Sequence, residues 1–347
     1  MSHDYYFKGR QYMRGLFYII ALIIFILSAV YLFIIICNIK SIKWFKGPSK
    51  EGKFADSNGK KIYYRIKGKG GAVIVIINSI GSSQAEWWPI QNGIGQKCRV
   101  ITMDRPGYGW STSESDEVTA SGFAEELDMV LKFEKIRKQI FIVANGTGVV
   151  FARYYCASHQ SKVLGALFVN PLPLRYSAWK EAIESIDECP NMIEAAKKMQ
   201  YKASKGIFRI MQPFKGYRLD LRYKRYIIEH YSKTENYDTM QNEISQLDKI
   251  FGEIESADKF PPIPLRILYP AGESLIRDWV RNGINEYSAR QLGRKFQELS
   301  TDIMSLSPQS TFLEVEGSGE HIHLSKPDII IKEIKTMISE QKKAKKT

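Results

Sequence analysis

The sequence predicts an α/β fold with a mostly parallel sheet and a helical cap, carried behind one transmembrane helix. Three observations predict it: an uncharged run from Leu16 to Cys37, several short β-branched runs bounded by turn residues, and helical patterns alternating with them. Strands buried on both faces read as continuous apolar runs, and their alternation with helices marks a parallel sheet. Hydrophobic content of 44% and charged content of 25% over 347 residues are globular averages, which exclude disorder, collagen and coiled coil.

The elements follow in order. Residues 1–15 form a basic tail. Leu16–Cys37 has 22 residues, with Ser28 its only clearly polar member. As a helix it spans about 33 Å, enough for a hydrocarbon core. It ends in Cys-Asn-Ile-Lys without a small-residue cleavage site, so it reads as a single-pass cell-membrane anchor rather than a removed signal. The flanking lysines leave the side of the folded domain undecided. A linker at 38–53 leads to a domain at 54–340. There, Phe54-Ala55 and Ile62–Arg65 flank Asn58-Gly59, a hairpin signal. Strands are expected at Ala72–Ile77, Val100–Met103, Ile140–Val143, Val163–Val169, Leu265–Tyr269 and Thr311–Val315. Helices are expected near Ser121–Phe133, from the turn 145–148 through His159, near Ser288–Leu299 and from Asp328. About 90 residues of helical, aromatic-rich sequence, 172–262, read as a cap over the carboxyl edge of the sheet, where such folds bind ligands. A lysine-rich tail closes the chain at 341–347.

Charge sharpens the picture. The net charge is +13, but residues 1–53 and 341–347 together hold ten of those charges. A nucleic-acid-binding core is therefore disfavoured, and attachment to something anionic at the ends is favoured. Within the cap, Lys197–Arg225 carries ten Lys/Arg against one acid, Asp220, interleaved with Tyr201, Phe208, Phe214, Tyr217 and Tyr223. That pattern suits an anionic membrane surface or ligand; a solvated helical face paired with acids elsewhere is the alternative. Four scattered cysteines form no C-x-x-C pair, and no metal or nucleotide motif implies a cofactor.

Three local sequences point to one chemistry: NSIGSSQAEWWP at 78–89, DRPGYGWS at 104–111 and the strand–turn–helix VANGTGVV at 143–150. With EGSGEHIHLSKPD at 316–328, they resemble the α/β-hydrolase family, in particular its membrane-linked bacterial branch with a DRPGYGWS loop. The resemblance covers residues 54 to about 338. It implies a Ser–acid–His triad with the serine on a strained G-x-S-x-G elbow.

On this chain the elbow is Ala144-Asn145-Gly146-Thr147-Gly148, so Gly146 stands at the nucleophile position and offers no attacking atom. Glycine adopts the elbow's left-handed backbone without penalty, so the turn can persist without its chemistry. Alignment on His323-Leu324 and Pro327 puts Glu320 at the catalytic histidine position, with His321 its neighbour. The resemblance makes His323 a structural histidine. Asn170 is not a carboxylate, which leaves Glu273 and Asp278 as acid candidates. The family's oxyanion hole maps to the backbone N–H groups of Ile80 and Thr147, which need no particular side chain and are expected to survive as an anion-binding notch.

Two function classes follow. The first is a non-catalytic hydrolase-fold protein binding a small molecule, lipid or partner. The second is an esterase- or lipase-like enzyme with a displaced nucleophile among Ser79, Ser82, Ser83 and Thr147, or a cofactor-free enzyme needing none.

Overall fold

The β-branched runs pair into one sheet of eight strands: β1 (Lys53–Ser57), β2 (Lys60–Lys67), β3 (Ala72–Ile77), β4 (Cys98–Met103), β5 (Ile140–Asn145), β6 (Val163–Val169), β7 (Leu265–Pro270) and β8 (Ser310–Val315). The computed structural model describes residues 2–44, 47–57, 59–95, 98–112, 117–187, 189, 191–211, 214, 217 and 219–344, with backbone only for 2–12 and 37–44. Strand order is β1-β2-β4-β3-β5-β6-β7-β8. The hairpin β1/β2 and the pair β2/β4 are antiparallel, and the other pairs are parallel. Asn58, in the expected hairpin turn, lies outside the described residues, as do the tail residues 345–347 and Lys215 and Arg218 of the cap.

Helices alternate with the strands: α1 (Ser2–Trp44), α2 (Trp88–Ile94), α3 (Ala120–Phe133) and α4 (Gly148–Ser158) come first. Among the described residues, six helices lie between β6 and β7: α5 (Tyr176–Ser185), α6 (Met192–Ser204), α7 (Ile207–Ile210), α8 (Leu221–Tyr231), α9 (Glu235–Ser245) and α10 (Leu247–Ser256). Then follow α11 (Gly272–Arg281), α12 (Glu286–Ser300), α13 (Ile322–Ser325) and α14 (Pro327–Ala344). Successive strand residues point to opposite faces, and here both faces are covered. Val73, Val75 and Ile77 pack with Phe123 and Leu127 of α3 and Phe151 of α4. Ile74 and Ile76 pack with Ile90 of α2 and with Ile330 and Ile334 of α14. Each such side chain contributes about 1.5–3 kcal/mol through burial.

The structure departs from the sequence reading in several places, one of them the unexpected helix α2 between β3 and β4. Backbone helix runs without a break through Ser2–Trp44, so the basic tail and much of the expected linker are helical. Its stretch Met13–Ile36 has 24 residues, none buried, and is long and apolar enough to cross a membrane. Also, no element was expected between β7 and the helix near 288, yet α11 forms there. Its apolar residues Leu275, Ile276, Trp279 and Val280 recur at helical spacing, but its ten residues carry four charges.

The loop 104–111 fastens the cap to the sheet. Arg105 pairs with Glu243 of α9 while both are buried, and the Tyr108 hydroxyl donates to the same carboxylate at 2.7 Å. The Gly109 N–H donates to Asn236 Oδ1 at 3.0 Å, and Thr239 Oγ1 donates to the Gly107 carbonyl at 3.0 Å. Lys233, just past α8, donates to the Gly109 carbonyl at 2.7 Å and stands 3.6 Å over the Trp110 ring. Inside this clamp, Asp104 accepts the Trp110 N–H at 3.2 Å, and burial pushes its carboxyl up to about 6. Nearby His230 is held against the Gly81 carbonyl at 2.9 Å, and burial pushes its imidazole down to about 4.

Candidate functional site

Strand β5 delivers the elbow to the carboxyl edge of the sheet. The Gly146 N–H donates to the Val169 carbonyl at 3.0 Å, and Gly146 has φ +53°, the left-handed region that favours glycine. A Cβ on Gly148 would press into the carbonyls of Asn78 and Ile77, so close packing of α4 on β3 requires glycine there. The turn keeps the elbow's backbone geometry.

The space above Gly146 is not empty. A side chain placed on it would bring its Cβ within 2.5 Å of Ser79 Oγ and 3.1 Å of Ser79 Cβ. Ser79 is anchored there, its N–H donating to Asn145 Oδ1 at 3.1 Å. Its hydroxyl accepts the Thr147 N–H at 3.3 Å and lies 3.1 Å from Thr147 Oγ1. Thr147 Oγ1 in turn accepts the Ile80 N–H at 2.7 Å. The open notch expected at Ile80 and Thr147 is therefore corrected. Both N–H groups are bonded to local hydroxyls, and those side chains, which the backbone argument set aside, decide the matter. An incoming anion would have to displace two hydroxyls.

Glu320 is committed elsewhere too. Its Oε1 accepts the Trp279 indole N–H at 2.6 Å, its own N–H donates to Asp278 Oδ2 at 3.0 Å, and its carbonyl meets Asn170 Nδ2 at 3.5 Å. Helix α11 thus brings Asp278 to the loop that carries Glu320, where it braces backbone. The other acid candidate, Glu273, is on the exposed side of α11 and pairs with Arg290 at 3.1 Å. His321 lines the pocket edge-on to Phe214, with ring centres 5.2 Å apart. His323 is buried, stacked on Trp87 at 4.7 Å, with Nε2 3.0 Å from Glu86. Burial lowers the imidazole's proton affinity against the opposing pull of Glu86, so a neutral ring donates its Nε2–H to the carboxylate. Ser83 and Glu86 form a reciprocal helix cap, and Ser82 lies on the same pocket wall as Ser79.

Ser79, Ile80, Gly146, Thr147, Glu320 and His321 line one side of a pocket of about 1000 Å³ beneath the cap, whereas His323, Glu86 and Glu273 lie outside it. Much of its wall is aromatic or methionine: Trp179, Phe214, Tyr231, Trp279, Met199 and Met240. Arg277 and Arg281 of α11 also line it. Trp279 and α11 escaped the sequence reading; the helical spacing of 275, 276, 279 and 280 is the signal that could have found them. Among the described residues, no group of three His, Cys, Asp or Glu side chains is placed to hold a metal.

Comparison with known proteins agrees with this architecture. The model of the α/β hydrolase fold family matches residues 72–215. The uncharacterized protein YqjL of Bacillus subtilis is 20% identical over 265 residues, 76% of this chain and 82% of the relative. The pimeloyl-(acyl-carrier protein) methyl ester esterase of Yersinia enterocolitica is 27% identical over 114 residues, 33% of this chain and 42% of the relative. A solved hydrolase of Pseudomonas aeruginosa superposes with a TM-score of 0.53 at 14% identity, covering 84% of this chain and 99% of its own. At that identity the likeness is one of fold.

Proposed function

This chain is an α/β-hydrolase-family protein, and on that premise we propose that it is a membrane-anchored, non-catalytic member that binds a small apolar or amphiphilic molecule under its cap. Hydrolysis by the family mechanism needs an attacking oxygen, a base to take its proton, and two donors for the oxyanion. The carrying observation is the closed elbow. Gly146 supplies no nucleophile, and Ser79 and Thr147 occupy the donors that would stabilise charge. Glu320 adds no base, because its carboxylate is bonded to Trp279. What the pocket retains is volume, an apolar wall and a pair of arginines, which suit an acyl-chain-like body with a polar end. The apolar span Met13–Ile36 suits an anchor, and its 24 residues exceed the apolar stretch of about 7–15 in a removed signal, which is what favours retention.

The second reading, an enzyme with a displaced nucleophile, has one observation in its favour: the Ser79 hydroxyl stands where a nucleophile's side chain would be. One set of assays separates the two. The purified chain is expected to hydrolyse p-nitrophenyl esters no faster than a matched blank and to leave a fluorophosphonate probe unreacted. It should bind a fluorescent fatty acid saturably, and Met199→Trp should weaken that binding by filling the pocket. Gly146→Ser should restore little turnover, while Gly146→Ser with Glu320→His should exceed either change alone, as expected of residues that act as a unit. Turnover by the natural chain that disappears in Ser79→Ala would establish the displaced nucleophile and overturn the binding reading.

A further inference from the structure

We propose that one face of the cap, built from the end of α6, α7 and the start of α8, docks onto an anionic bilayer surface beside the chain's own anchor. The inference rests on the anchored reading of α1 and adds to it a second contact with the membrane.

Three observations carry it. The first is position: α7 lies against α1, so this part of the cap adjoins the helix with the apolar span. The second is exposed apolar surface in the same short stretch of chain. Tyr201, Ile210, Met211 and Leu221 are open to solvent, Met211 at 73% and Leu221 at 81%. Soluble surfaces scatter such residues singly, whereas an interfacial face gathers them. The third is charge. Lys198 and Lys202 of α6, Lys205 just after it and Arg222 of α8 are exposed, and the single acid from Lys197 to Arg225, Asp220, is paired with Arg222 at 2.8 Å. Apolar side chains interleaved with cations are the arrangement that anionic headgroups attract, each cation acting within about a Debye length of the surface.

The same segment also borders the pocket, where Met192 and Met199 of α6 and then Phe214 and Tyr217 form wall. Docked in this way, the described residues of the segment adjoin both bilayer and pocket, which gives an amphiphile a short path from the membrane to the site.

The test uses the full chain in vesicles of phosphatidylcholine with phosphatidylglycerol. A bimane label is placed at Met211→Cys or, as a control remote in sequence, at the exposed Tyr287→Cys of α12, each read above the background of the unsubstituted chain. Carbonate-resistant flotation reports the anchor by itself. With the anchor in place, nitroxide lipids are expected to quench the label at 211 several-fold more than the label at 287, and aqueous iodide the reverse. Changing Lys198, Lys202, Lys205 and Arg222 to glutamate should reduce the lipid quenching at 211 several-fold while flotation persists. Equal quenching at both sites in a chain that floats overturns the docking and leaves the face to an acidic protein partner. A chain that fails to float overturns the anchored reading instead.

Discussion

Two loops at the carboxyl edge of the sheet, 78–80 with 145–148 and 104–111, carry the sequence's clearest family motifs, and they have opposite fates. In the elbow the family geometry survives while its polar groups bond one another: Ile80 to Thr147, Thr147 to Ser79 and Ser79 to Asn145. In the clamp several polar groups reach across to the cap, from Arg105 and Tyr108 to Glu243, from Gly109 to Asn236 and from Lys233 back to Gly109, while Asp104 and Ser111 brace the loop itself. The difference teaches that the most recognisable motif in such a chain need not be the chemical one. DRPGYGWS specifies how a cap is held, and the fold can keep that while the elbow is silent.

Breaking the clamp should have the largest effect. Glu243→Ala leaves the buried Arg105 guanidinium without its carboxylate and should cost about 3–5 kcal/mol, read by denaturant unfolding. Replacing both partners by leucine should recover most of that loss, because the penalty is the orphaned charge. A loss below about 1 kcal/mol for Glu243→Ala would remove the clamp's side of the comparison.

Refilling the elbow should have a middling effect. Gly146→Ser forces a left-handed backbone on a residue with a Cβ and pushes Ser79 out of its bonds, an expected cost of about 1–3 kcal/mol. Adding Ser79→Ala should return about 1 kcal/mol, a coupling that a double-mutant cycle measures directly. Additive costs would mean that Ser79 does not occupy the space above Gly146.

The smallest effect sharpens the clamp through pH. Asp104 is held up to about 6 against an ordinary 3.8, so the folded chain binds that proton more tightly. Its contribution is greatest below pH 3.8 and is lost as pH rises through about 6. His230 is held down to about 4 against 6.5, so its contribution is present above pH 6.5 and is lost as pH falls through about 4. The two oppose each other over nearly the same window. Asp104→Asn should therefore expose the histidine, with stability falling as pH drops from 6.5 to 4. His230→Gln should give the reverse slope, and identical profiles for both variants would refute the pairing.

Much of this was legible in the sequence. The uninterrupted apolar runs place β3 and β6 to the residue, because burial on both faces leaves no polar break. Gly146 is readable as an elbow glycine because a left-handed turn between a buried strand and a helix demands one. The closing of the notch was not legible, since it depends on two hydroxyls, Ser79 and Thr147, that meet across 68 residues and could equally have bonded their own turns. The fate of Glu320 depends likewise on Trp279, 41 residues away on a helix whose charges obscured its apolar spacing.

The hydroxyl of Ser79 in the space above Gly146 also bears on evolutionary reversibility. Regaining a serine at 146 is a single substitution, but alone it meets an occupied site, a spent pair of donors and a glutamate bonded to an indole. Each later step, at 79 and at 320, gains its catalytic value only in the presence of the others. A lineage that has passed through this arrangement faces a ratchet. Under the proposed binding role, drift could vary the cap and retune the ligand, while hydrolysis from position 146 would require several changes at once.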